Sequence, residues 1–140
     1  MAVVHTSYTK TVTAGAEELV VRVTAPTNIK VLARVRVHNT SSTVATTVRL
    51  LRAATGGTTG SPTVVRLDSQ DTETTQTTIH SITSVTAPGG TPAEVDIGWI
   101  APNGSREFRP IEMAGGTTLS VTGNCTGSNV GHIVSIDVDE

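Results

Sequence analysis

Alternation of apolar and polar side chains with a period of two fills this chain almost end to end. From Ile29 to His38, Val31, Ala33, Val35 and Val37 fall on one face while Lys30, Arg34, Arg36 and His38 fall on the other, the pattern of a strand with one buried and one wet face. Val44, Thr46, Val48 and Leu50 then alternate against Thr47 and Arg49. Between the two runs, Asn39-Thr40-Ser41-Ser42 reads as a turn, because short polar side chains bond their own backbone, so the spacing predicts a long antiparallel hairpin. A second hairpin is predicted for Tyr8 to Thr13 and Glu18 to Thr24, closed by Ala14-Gly15-Ala16-Glu17 and ended by Pro26. Further strands are read at Thr63 to Leu67, Thr78 to Val85, Val95 to Ile100, Phe108 to Met113, Leu119 to Gly123 and Gly131 to Glu140, with glycine and proline clusters between them.

Short strands recurring with turn chemistry between them predict an all-β, antiparallel β-sandwich, a jelly roll of about 8–10 strands in a single domain. Helix is confined to a turn or two around Asp71 to Thr77. The domain is placed at residues 8–140, with residues 1–7 as an N-terminal arm. Val-Thr-Ala-Pro occurs at Val23 to Pro26 and again at Val85 to Pro88, and is read as coincidence in a chain where strands rich in Val and Thr often meet proline.

Composition strengthens the β reading. Thr and Val make up about a third of the 140 residues, and branching at Cβ suits a pleated sheet better than a helix. The formal net charge is -2 and the arginines are scattered, so no surface is built for a phosphate backbone and nucleic acid is not an expected partner. With Cys125 alone, no internal disulfide forms, which fits synthesis in a reducing cytoplasm. Met1 to Thr6 lacks a basic segment followed by an apolar run, and no apolar stretch approaches membrane-spanning length, so neither export nor membrane insertion is expected.

Candidate chemistry is sparse. His5, His38, His80 and His132 are far apart with no metal-binding spacing. Asp68 to Glu73 carries three carboxylates but lacks the glycine and terminal Glu of a calcium loop, and Asp137, Asp139 and Glu140 read as a solvated chain end. Gly56-Gly57-Thr58-Thr59-Gly60 has the glycines of a phosphate loop without the Lys-Ser/Thr or the helix that should follow. No Gly-x-Ser-x-Gly elbow occurs, and Cys125 has no neighbouring base in sequence to activate it. The reading is therefore a non-enzyme with no catalytic, cofactor or metal residues. Tyr8, Trp99 and Phe108 are the whole aromatic set, and Trp99 and Phe108 are read as core fillers, which weighs against aromatic platforms for sugars or bases.

Several segments together resemble a family of small β proteins encoded by tailed bacteriophages, the capsid decoration or cement proteins. They are Thr11 to Gly15, Val23 to Asn28, Asn39 to Ser42, Val48 to Arg52 with Thr55 and Gly57-Thr58, Pro110 with Ala114 to Gly116, and Gly127 to Val130. What the resemblance implies is a jelly-roll subunit on the outside of an icosahedral head, often a homotrimer, that clamps neighbouring major capsid proteins. It brings no catalytic residues. The alternatives are a phage tail or fibre β-module and a carbohydrate-binding adhesin domain. Apolar residues near both ends, Val3, Val4, Ile133, Val134, Ile136 and Val138, suggest an oligomer, and the arm residues Ala2, Val3, Val4 and His5 are the expected capsid or oligomer contacts, able to add along a neighbour's sheet edge.

Overall fold

The computed structural model describes residues 3–66 and 76–140. Among them are twelve strands: β1 (Val3–Val12), β2 (Glu18–Thr24), β3 (Val31–Asn39), β4 (Thr46–Thr55), β5 (Thr59–Gly60), β6 (Val64–Arg66), β7 (Thr78–Ile82), β8 (Gly89–Ile100), β9 (Ser105–Glu107), β10 (Ile111–Met113), β11 (Thr118–Asn124) and β12 (Val130–Asp139). Two antiparallel sheets stack face to face. The first runs β10-β3-β12-β1-β6, with β9 also on β3, and the second runs β5-β7-β2-β11-β4-β8. Setting aside the short β5, β6 and β7, the remaining strands number eight if β9 and β10 count as one broken strand. In chain order the sheets then read 1-8-3-6 and 2-7-4-5, which is the jelly-roll order. The all-β sandwich read from the alternation is the fold observed.

Neither predicted hairpin exists. β1 and β2 lie in different sheets, as do β3 and β4, so both connections are arches that carry the chain across the core. The turn residues serve the arch instead. The Gly15 amide donates to the Cys125 carbonyl and the Thr40 amide to the Gly131 carbonyl, each tying its turn to the loop or strand end that leads into β12. Buried Asn39 holds the second arch: its amide nitrogen donates to the carbonyls of Val44 (2.8 Å) and Ile100 (3.3 Å), and its oxygen accepts from the Ser41 amide (2.9 Å). Alternation shows which residues share a face, and turn chemistry shows where the chain reverses; neither says whether the next strand pairs with the last or faces it across the core.

The arm at residues 1–7 is also corrected. Val3 to Ser7 form the first half of β1, paired along its length with β12 from Val3↔Asp139 to Val12↔Val130, and flanked at Val4 to Thr6 by β6. The inward positions of that half-strand include Thr6, which is buried with its hydroxyl donating to the Thr63 carbonyl (2.7 Å). A polar residue at an inward position hides the period of two from a reading by hydrophobicity. The expected Phe108 to Met113 strand shortens to β10, because Phe108 to Pro110 form a break between β9 and β10 and Pro110 has no amide hydrogen for a ladder. Of the expected Thr63 to Leu67 strand, β6 covers Val64–Arg66 and Leu67 lies outside the described residues; Val95 to Ile100 lengthens to β8, whose pairing with β4 shifts register at Leu50/Leu51 and at Arg52/Ala54. The expected helical turn around Asp71 to Thr77 lies largely, and the Asp68 to Glu73 carboxylates lie wholly, outside the described residues.

Between the sheets lies one large core. Val31, Ala33, Val35 and Val37 face Val48, Leu50, Val121 and Leu119, joined by Val134, Ile136 and Val138 of β12 and capped by Phe108 and Met113. Leu51 is buried although it points to the opposite face from Leu50, because Leu19, Ala54 and Ile82 cover it in a small second cluster. The two Val-Thr-Ala-Pro strings have unrelated settings. Val23 is fully buried in β2, while Val85 is 72% exposed in the connection after β7.

Candidate functional site

Val3, Val4 and His5 are held in β1, and Ala2 lies outside the described residues. Val4 is core, and His5 Nδ1 meets Asp137 Oδ1 at 2.5 Å across the β1–β12 ladder. These residues form no free strand to lend to a neighbour. Most of the apolar residues expected to form a surface near the termini are core as well, since Val4, Val134, Ile136 and Val138 are at most 1% exposed, while Val3 and Ile133 are half-buried.

The carboxylates of the last strand are engaged within the chain. Asp137 holds His5, Asp139 accepts from Arg34 Nη1 (2.8 Å), and Glu140 Oε2 accepts from the amides of Gln76 (2.9 Å) and Thr77 (2.5 Å). His38 meets the Ser105 hydroxyl. His132 is buried: its Nδ1–H donates to the Val130 carbonyl (3.0 Å), its Nε2 takes the Thr46 hydroxyl at 2.8 Å, and burial pushes its pKa below the ordinary 6.5. Cys125 is buried, and desolvation raises its thiol pKa, the opposite of an activated nucleophile. No three His, Cys, Asp or Glu residues among those described are placed to hold a metal ion.

One expectation about aromatics holds and one fails. Phe108 is 3% exposed and fills the core, with the Arg106 guanidinium 5.4 Å from its ring centroid on the outer side. Trp99 is 65% exposed. Along β8, Gly98 and Ile100 point inward, so Ile97 and Trp99 share the outer face, where Ile97 is 47% exposed. The alternation around Trp99 was readable, but both faces of this strand carry apolar residues, so sequence alone did not say which one was buried.

Trp99 forms one wall of a groove of about 400 Å³ that runs along the loop entering β4 and the end of β11. The register explains its shape. Trp99 pairs with Thr47 on β4, and Thr47 pairs with Asn124 on β11, so an indole, a hydroxyl and an amide stand in one row across three strands. The next row holds Ile97, Arg49 and Thr122. There Arg49 grips Glu17 through two nitrogens, one bond of 2.5 Å and one shorter, and reaches Glu94 at 3.5 Å; Thr122 donates to Glu17 at 2.7 Å. Arg49 holds the Glu17 carboxyl below its ordinary 4.5, and the guanidinium pKa is raised in turn. The positive charge nearest the groove is therefore already neutralised.

The opposite long edge of the sandwich has a different character. β8 closes the second sheet on the side of β9, while β6 stands at the other end of the first sheet, beyond β1. There Val64 is 37% and Val65 53% exposed. No family model, curated protein or solved structure matches this chain.

Proposed function

We propose that the chain is a non-enzymatic structural subunit of a virion, bound as a homotrimer to the outer surface of an icosahedral phage head and stabilising it by bridging neighbouring major capsid proteins. The reading starts from the resemblance in the turns and strand ends. The observation that carries it is the pair Val64 and Val65, exposed aliphatic side chains on a short strand at the end of a sheet. A sheet edge offers backbone groups to another chain, and adjacent valines add apolar contact to that pairing. They replace Val3, Val4 and His5 as the proposed contacts. One such contact is modest, and a trimer multiplies it, because binding by one subunit raises the effective concentration of the next.

The test is sedimentation of purified protein with heads, prepared without it, of the phage that encodes it. Wild-type protein should pellet with the heads, and Val65→Asp, at an exposed position that leaves the core intact, should stay in the supernatant. Failure of the wild type to pellet with any head form refutes the reading. A second reading, a carbohydrate-binding adhesin domain, is favoured by the exposure of Trp99. The two are compatible, since β6 and β8 occupy opposite edges of the sandwich.

A further inference from the structure

A tryptophan exposed over most of its surface is costly to leave in water, and here it borders a groove large enough for a small ligand. The chemistry around it narrows the ligand class. Besides Trp99, the groove is lined mainly by hydroxyl and amide side chains, among them Thr43, Thr47, Asn124 and Thr126, and by no charged residue. The side chains of Thr47, Asn124 and Thr126 make no hydrogen bond among the described residues. They are donors and acceptors pointing at solvent beside an aromatic face.

Three kinds of occupant fit poorly. A phosphate or carboxylate needs a free cation, and Arg49 in the adjacent row is committed to Glu17 and Glu94. An amphipathic helix needs a continuous apolar strip, which a lining of Thr and Asn does not supply. An added peptide strand needs the free backbone groups at the edge of β8, and Arg109 already takes one of them, donating to the Val95 carbonyl at 2.9 Å.

We propose that the Trp99 groove is a binding site for a neutral glycan. A pyranose ring presents a face of C–H groups and a rim of hydroxyls. The C–H face stacks on the indole of Trp99, and the rim hydroxyls bond the Thr47 hydroxyl and the Asn124 amide, which supplies a donor and an acceptor together. Three adjacent strands span about 10 Å from the first to the third, so the row accommodates a short run of sugar rings across the sheet. This site is independent of head attachment, which is assigned to the β6 edge.

Trp99 is the only tryptophan of the chain, so its fluorescence reports on the groove directly. The full-length protein is first applied to a broad printed array of neutral and acidic glycans, and neutral binders are then titrated in solution while the emission is followed. The expected result is a saturable change in emission with at least one neutral oligosaccharide. By calorimetry, Trp99→Ala should weaken that binding by about tenfold or more, Asn124→Ala or Thr47→Val by about threefold to tenfold, and Trp99→Phe should retain most of it. All three positions are on the outer face, and circular dichroism should show each of the four variants folded. Absence of any neutral binder, binding confined to acidic glycans such as heparin fragments, or neutral binding unchanged by Trp99→Ala would each overturn the proposal. Sedimentation of Trp99→Ala with heads should match the wild type, which separates this site from the capsid contact.

Discussion

Lys10 and Glu18 show how much one buried pair can carry in this fold. Lys10 sits at an inward position of β1, its Nζ 2.8 Å from Glu18 Oε1, and it donates to the carbonyls of Leu19 and Ser84 at 2.7 Å each. Two ammonium protons are thus donated to carbonyls while the charge is paired with Glu18, whose Oε2 accepts from the Thr13 amide (3.0 Å) across the first arch. Lys10→Met leaves Glu18 buried without its counter-charge and should lower unfolding free energy by about 3–5 kcal/mol in urea titration. Adding Glu18→Leu to that variant should recover part of the loss, because no uncompensated charge then remains. His132 gives a pH dependence. Its native pKa is lowered by burial, so below about pH 6.5 the unfolded chain binds a proton that the native state resists, and stability should fall as pH drops from about 7 to about 5. His132→Gln should flatten that segment of a plot of melting temperature against pH. Glu17, lowered by Arg49, adds a second loss that begins only below about pH 4.5. At this scale the sequence was legible where a residue's character matched its position, as with Val35 inside and Arg36 outside. It was illegible at Lys10, Glu18 and Thr6, polar residues that the interior holds through bonds to distant parts of the chain, and at Trp99, a large apolar residue left outside.

At the scale of elements, the strands were legible and their partners were not. The inward rows of β3 and β12 follow directly from alternate valines and isoleucines. That β1 pairs with β12, more than a hundred residues away, depends on the whole closing up together. It follows that the N-terminal residues are structural. Deleting Met1 to Ser7 removes half of β1, including buried Val4 and Thr6, together with its pairing to β6. The deletion should cost more than about 3 kcal/mol, read as a marked drop in melting temperature and in the strand signal of circular dichroism. An unchanged melting curve would show that this half-strand contributes little to the fold. Glycine has a similarly specific role beside β12. A methyl group at Gly123 would fall 2.8 Å from His132 Nε2 and 3.1 Å from a Val12 methyl, so the close approach of β11 to the buried imidazole requires that residue to be small.

For the whole molecule, a jelly roll with an apolar sheet end at β6 and an aromatic, hydroxyl-lined groove at β8 offers two surfaces of unlike chemistry facing different ways. The fold class was legible because period-two alternation and turn spacing are properties of the chain as a whole. The two surfaces were not, because a surface is assembled from residues of several strands, as Trp99, Thr47 and Asn124 are. With a formal net charge of -2 and valines at the proposed contact, head binding should be driven mainly by apolar burial and backbone pairing, and should survive moderate salt. A subunit that binds assembled heads and not dissociated capsid protein stabilises the assembled form by mass action, increasingly so as its free concentration exceeds its dissociation constant. The most direct measurement is therefore the temperature at which heads stripped of this protein release their genome, with and without a saturating amount added back. The account predicts a higher release temperature for redecorated heads and no gain with Val65→Asp; equal release temperatures with and without wild-type protein would contradict it.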